Sequence, residues 1–464
     1  MLFTDFYFLF LFLPIVLLVV WNLKSRQHRF LALVFSSYIF YAAWNYKFVS
    51  LLLLSTCVDY FSGLLISRSG DNQRKKKILL SFSITCNLVI LGFFKYFNFF
   101  MGDFQAIFTG LGLNIIIPHL NVILPVGISF YTFQSMSYTI DVYRGNVEAT
   151  GNFLKFASYV SLFPQLVAGP IVRYKDIDEQ LDNIDKPLTL ENLTAGLQIF
   201  LIGLFKKVLI ADSLARLINP MFDKYTELGL TAAWMAVLGY TFQLYFDFSG
   251  YSDMAIGLGR MLGLKLPYNF NSPYKSVNMA DFWRRWHITL SSWLRDYLYI
   301  PLGGSRRSKK RVAANILIVF ALGGLWHGAA WTFVIWGIYQ GILVAGYYIL
   351  RRMWDNMPVV IQRALTFVLV VLGWVMFRSD NITMAFTLLR KMFIPAGTAV
   401  SFSSNLTDLF LWNAALLLAV NILTNTNSFK VRRTPAYAVG FACLFVLSIF
   451  AINSLRIEFL YYQF

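Results

Sequence analysis

Leu322–Gly337 reads LGGLWHGAAWTFVIWG, a run in which one histidine, His327, stands among glycines, alanines and tryptophans inside a long apolar stretch. An ionisable side chain at membrane depth is costly, so by default it marks a functional site. The chain holds four histidines. His28 falls in a basic loop and His119 beside Pro118 in a connecting stretch, which leaves His287 and His327 as the two flanked by tryptophan. A lone buried histidine is also compatible with a neutral ring bonded to a backbone carbonyl, so the surrounding chain must decide between the two readings.

Working outward, the composition sets the class. Hydrophobic residues make up 58% of 464 positions and charged residues 14%, with mean hydropathy +0.59. This is the signature of an all-α polytopic membrane protein. Tyr7–Trp21 has no basic residue ahead of it and no small-residue cleavage pattern after it, so it reads as a retained spanning helix with its N-terminus outside. The net charge of +17 comes in short clusters between apolar spans, which fits membrane topology and argues against nucleic acid. Cys57, Cys86 and Cys443 match neither a disulfide framework nor a metal-ligand spacing and are expected in the core; no metal is expected.

Apolar spans fall near 7–22, 30–45, 48–66, 78–100, 122–140, 153–172, 194–212, 231–248, 312–326, 331–350, 362–377, 408–424 and 436–453. This predicts about 11 to 13 transmembrane or re-entrant helices in one membrane domain over 1–464, with a motif-bearing core at about 122–350. Lys24, Arg26 and Arg29, then Arg68 and Arg74–Lys77, then Arg351 and Arg352, then Lys430, Arg432 and Arg433 all fall on the cytoplasmic side if both termini are outside. The middle is less regular. Pro125, Gly127, Pro164, Gly169 and Pro170 interrupt two spans and predict re-entrant or half-spanning helices packed inside a ring of ordinary ones, with QLVAGPIVR from Gln165 a candidate for backbone lining a cavity. Arg173–Leu193 is the largest polar stretch and reads as a cytoplasmic or interfacial loop.

Three further stretches are chemically suggestive. Asp281–Gly304, DFWRRWHITLSSWLRDYLYIPLGG, is expected to form one amphipathic helix ending at Pro301. Helical periodicity puts Trp283, Trp286, His287 and Leu290 on one face, Ser291 a turn beyond, and Arg285 away from it. That face either presents His287 inward or anchors an interfacial helix. The basic run Ser305–Arg311 either holds the phosphates of a cytosolic donor or is topological charge, with no Walker or dinucleotide motif beside it. Tyr245–Gly257, YFDFSGYSDMAIG, is expected to break at Ser-Gly-Tyr-Ser and restart under a Ser249 or Ser252 cap. Its Asp247 and Asp253 either orient the His327 ring or form structural pairs with arginine. Gly259 and Gly263 have the GxxxG spacing of close helix packing. No motif supports a serine or cysteine nucleophile. A histidine kept neutral by apolar surroundings, able to take a proton from a hydroxyl, fits acyl transfer.

Four stretches together resemble the membrane-bound O-acyltransferases: FPQLVAGPIVRY from Phe163, YFDFSGYSDMAIGLGR from Tyr245, FNSPYKSVNMADFWRRWHITLSSWLRDYLYIPLGG from Phe270 and GGLWHGAAWTFVIWG from Gly323. The wording is that of the bacterial branch concerned with alginate and other polysaccharide O-acetylation and with teichoic acid D-alanylation. The resemblance implies that His327 is the active-site histidine and His287 the second histidine of the WRRWH motif. It implies a ring of tilted helices around a tunnel, an acyl group supplied by acetyl-CoA or an acyl-carrier thioester from the cytosol, and an extracytoplasmic acetyltransferase or adaptor as the receiving partner. Trp283, Trp286, Trp326 and Ser291 are then candidates for lining the site. Arg284, Arg285, Arg306 and Arg307 are candidates for the donor's phosphates. The rival readings are D-alanyl transfer to teichoic acid and, in another class, a polysaccharide or lipid transporter, which an internal inverted repeat would favour; the sequence shows none.

Overall fold

A computed structural model of the chain describes residues 1–113, 120, 122–395, 403–428, 434–455, 457 and 459–460. His119, Lys430, Arg432 and Arg433 lie outside the described residues. Within them every regular element is a helix. Six are long and apolar enough to cross a membrane: Arg26–Ser67, Gln73–Gly110, Leu190–Asp223, Trp331–Asp355, Val359–Arg378 and Pro435–Ser454. Each of the thirteen apolar spans read from the sequence contains helix, although 122–127 and 167–172 are not helical. The protein is an all-α, multi-pass membrane protein.

The chain divides into two compact units, 1–200 with 254–267, and 201–253 with 268–464. The first contains α1 (Leu13–Asn22), α2 (Arg26–Asn45), α3 (Val49–Ser67), α4 (Gln73–Leu91), α5 (Phe97–Gly110), α6 (Ile128–Arg144), α7 (Phe153–Ser161), α8 (Phe163–Leu166), α9 (Tyr174–Asp182) and most of α10 (Leu190–Phe205). His28 sits in the first turn of α2 rather than in a loop, because the helix starts at Arg26. The proline-glycine segment 163–173 is buried, and only its first four residues are helical. Its neighbourhood is held by hydrogen bonds: Gln165 Nε2 donates to the Tyr159 carbonyl at 2.7 Å, and the Tyr159 hydroxyl to that of Val172 at 3.1 Å. Non-helical backbone is thus satisfied internally, as apolar surroundings require.

The second unit contains the C-terminal end of α10, α11 (Asp212–Asp223), most of α12 (Leu230–Met261), α13 (Met279–Arg285), α14 (Ile288–Leu294), α15 (Lys309–His327), α16 (Trp331–Asp355), α17 (Val359–Arg378), α18 (Ile382–Phe393), α19 (Ser403–Ile422) and α20 (Pro435–Leu455). Here α12 runs unbroken through Ser249–Ser252, contrary to the expected restart. Gly250 is used for approach rather than for a turn: a Cβ there would lie 2.8 Å from the Gly203 carbonyl oxygen. Asp247 and Asp253 are paired with lysines, not arginine or imidazole. Lys207 Nζ lies 2.6 Å from Asp247 and 2.8 Å from Asp212, and Lys206 Nζ 2.6 Å from Asp253. Losing one partner of such a buried pair costs about 3–5 kcal/mol.

Two smaller expectations also change. The Gly259–Gly263 spacing does not mark a helix crossing, because Gly263 ends α12 with φ +84°. Close approach occurs one turn earlier in α12, where Gly257 meets the backbone of Gly196 in α10. None of the three cysteines is fully buried; Cys443 is exposed on α20, whose apolar surface is turned outward at Val439, Val446 and Phe450.

Candidate active site

The site lies in the second unit and is built on the α15–α16 hairpin. Gly324 and Gly337 face one another across it, and a Cβ on either would fall 2.2 Å from the opposing backbone, at the carbonyl oxygens of Phe333 and Phe320. Only glycine permits this contact, and it seats His327, the last residue of α15, against Trp336 of α16. The His327 ring packs edge-on to Trp336 at 5.2 Å, Phe377 at 5.4 Å and Trp326 at 5.1 Å. It is 4% exposed.

His287 reaches the same place by another route. The segment 281–304 is not the single helix that its periodicity predicts; it breaks between α13 and α14 at Trp286–His287. The irregular segment 269–271 takes over backbone bonds there. Asn271 N–H donates to the Arg285 carbonyl at 2.9 Å, and Ile288 N–H to the Asn269 carbonyl at 2.9 Å. His287 consequently adopts φ +43°, uncommon for a side-chain-bearing residue, and such strain persists only where surrounding contacts enforce it. Its ring is fully buried, edge-on to Phe248 at 4.7 Å, with Nδ1 3.2 Å from Oδ1 of Asn269. The two imidazole centroids stand 6.2 Å apart, with Trp326 6.1 Å from His287.

Two cavities adjoin His327. One, of about 480 Å³, is mostly apolar, walled by Trp283, Leu290, Phe320, Trp336 and His327 itself. Arg284 and Arg295, both largely exposed, line it as well, as does Ser291, whose hydroxyl donates to the Trp286 carbonyl at 3.3 Å. The other, of about 440 Å³, is polar, with Tyr240, Gln243, Thr332, Arg378 and Asp380 among its walls. Tyr240 Oη, Gln243 Oε1 and Thr332 Oγ1 are buried there without a hydrogen-bond partner among the described residues. Phe377 lines this second cavity and touches His327, which lines the first. His327 is therefore reachable from an apolar space with a cationic rim and adjoins a polar one.

Not every candidate converges. Trp283 lines the apolar cavity and its Nε1–H donates to Gln340 at 3.3 Å. Trp286 lies behind the site, stacked on Phe282 and against Trp374. Arg285 turns back to Asp281 at 3.0 Å. Arg306 and Arg307 do not line the cavity; the Arg307 side chain folds over Gly303. Asp247 and Asp253 stay with their lysines. Sequence reading missed Asn269, Gln243, Thr332 and Phe377. Among the described residues no group of three or more metal-ligating side chains is found.

In a helical membrane protein, His327 lines an apolar cavity and packs against Phe377 of a polar one, with His287 beside it, and comparison with known proteins supplies the class. The model of the membrane-bound O-acyltransferase family matches residues 149–387, and the chain belongs to that family. It is an acyltransferase, which sets aside the transporter reading. Within the family it is 44% identical over 397 residues to the probable alginate O-acetylase AlgI of Azotobacter vinelandii, covering 85% of this chain and 78% of that one. It is 42% identical over 425 residues to the peptidoglycan O-acetyltransferase of Helicobacter pylori, covering 84% and 80%. Similarity to the teichoic acid D-alanyltransferase of Bacillus subtilis is 31% over 252 residues, covering 52% and 62%.

Proposed function

We propose that the protein moves acetyl groups from a cytosolic thioester, acetyl-CoA or an acyl-carrier protein, through a bacterial cytoplasmic membrane for O-acetylation of an exported or cell-wall polysaccharide. The observation that carries this reading is His327, which lines the apolar cavity and packs against Phe377 of the polar one. The thioester arm occupies the apolar cavity, with Arg284 and Arg295 attracting its phosphates at the rim. The acceptor hydroxyl arrives from the polar side. His327 takes the hydroxyl proton as oxygen attacks the thioester carbonyl; the C–S bond then breaks and the proton leaves with the thiolate. The aromatic walls exclude water, which limits hydrolysis of the thioester. His287 shares the proton or positions the thioester.

An extracytoplasmic acetyltransferase or adaptor is the receiving partner, and both termini face outward in this arrangement. D-alanyl transfer to teichoic acid stands second, because the relative so named matches about half of the chain. The test is thioester consumption by membrane vesicles with their cytoplasmic face exposed, supplied with acetyl-CoA, with acetyl-loaded carrier or with D-alanyl-loaded carrier. Consumption of an acetyl donor that disappears in His327→Ala supports the reading. A preference for the D-alanyl donor, or equal rates in the variant, overturns it.

A further inference from the structure

Asn269 contacts the site from a segment that no functional motif covers. Its Oδ1 receives the Thr289 hydroxyl at 2.7 Å and the Thr289 backbone N–H at 3.3 Å, and lies 3.2 Å from His287 Nδ1. Its Nδ2 donates to Ser252 Oγ at 3.3 Å. All of these atoms are buried. Oxygen and nitrogen of an asparagine amide are ordinarily assigned by their partners, and here a partner decides. A backbone N–H can only donate, so the amide atom facing Thr289 N is the oxygen. That oxygen has no hydrogen to give, so the His287 nitrogen beside it must carry one if the pair is bonded. In a neutral imidazole the proton then resides on Nδ1, and the lone pair on Nε2.

We propose that Asn269 is a positioning residue that fixes His287 as the Nδ1–H tautomer and so makes Nε2 its proton-accepting atom. The same amide caps the first turn of α14, and its own carbonyl accepts from Ile288 N–H, so one residue sets both the backbone break and the ring's proton. With the proton on Nε2 instead, Nδ1 and the Asn269 oxygen would face each other as two buried acceptors without a hydrogen between them. The role in transfer rests on the acyl-transfer reading above; the tautomer does not.

The test is nitrogen-15 NMR of histidine-labelled protein in detergent at pH 8, above the ordinary imidazole range. With four histidines, each signal is assigned by its loss in one His→Gln variant. The expected wild-type result is His287 protonated on Nδ1 with a bare Nε2. Asn269→Asp, which keeps the acceptor, should retain that pattern. Asn269→Leu, which removes it, should lose at least half of the Nδ1–H population and lower transfer more than Asn269→Asp does. A purely structural cap would leave the tautomer unmoved. Wild-type protein with the proton on Nε2, or an unchanged pattern in a folded Asn269→Leu variant, overturns the proposal. Intact tautomer with no dependence of transfer on His287 overturns only the acyl-transfer role.

Discussion

The two tryptophan-flanked histidines are presented by opposite means. His327 ends a regular helix and is set by glycine contacts inside a helical hairpin. His287 sits where a helix fails, at φ +43°, with its neighbours' N–H groups bonded to Asn269 from another part of the chain. The first arrangement is local in sequence and follows from residue size. The second depends on a tertiary hydrogen bond that outcompetes helix propensity. The contrast predicts that the hairpin tolerates change in its histidine but not in its glycines, whereas the broken segment tolerates at 287 only a residue that accepts positive φ.

Breaking that contrast starts with the chemistry. His327→Ala should fold, reach the membrane at parental levels and lower transfer about 10³- to 10⁴-fold, the upper end of what a positioned proton acceptor contributes; vesicle assays normalised to protein level check this. His287→Asn should cost less, about 100-fold. Because asparagine accepts positive φ, the variant should unfold thermally close to the parent, whereas His287→Val should not. If His287→Asn outweighs His327→Ala, the assignment of the principal base to the hairpin is wrong. Gly324→Ala or Gly337→Ala should destabilise by about 1–3 kcal/mol, seen as a lower unfolding temperature in detergent, since the new methyl meets backbone. The smallest effect is at the rim. Arg284→Ala or Arg295→Ala should raise KM for a phosphate-bearing donor about two- to fivefold, and high salt should erase the difference.

How much of this was legible follows the same division. The spans were readable because an apolar run is a local signal, whereas the contact of Gly324 with Gly337 across the turn was not singled out. The WRRWH helix was misread, although its helical periodicity is good, because Asn269 lies 18 residues upstream of His287 and carries no local signal. The same limit applies at Ser249–Ser252, where glycine looks like a break until its neighbour, Gly203, is known. Asp247 and Asp253 were recognisable as needing partners, but not as partners of Lys206 and Lys207, since nothing local separates the lysines that follow α10 from the nearer arginines. Phe377, Gln243 and Thr332 gain meaning only from the cavity they share.

The lysine held between Asp212 and Asp247 has a consequence for how the protein is made. Lys207 and Asp212 form a pair five residues apart, and α12 brings a further carboxylate, Asp247, that pairs with the same lysine. An arriving α12 that missed this partner would expose an unpaired charge to lipid, which is expensive. The pair therefore favours one register of the stretch that carries Phe248 to His287. The Leu460 amide, bonded to Asp247 at 3.1 Å, latches the same carboxylate from the last described turn of the chain.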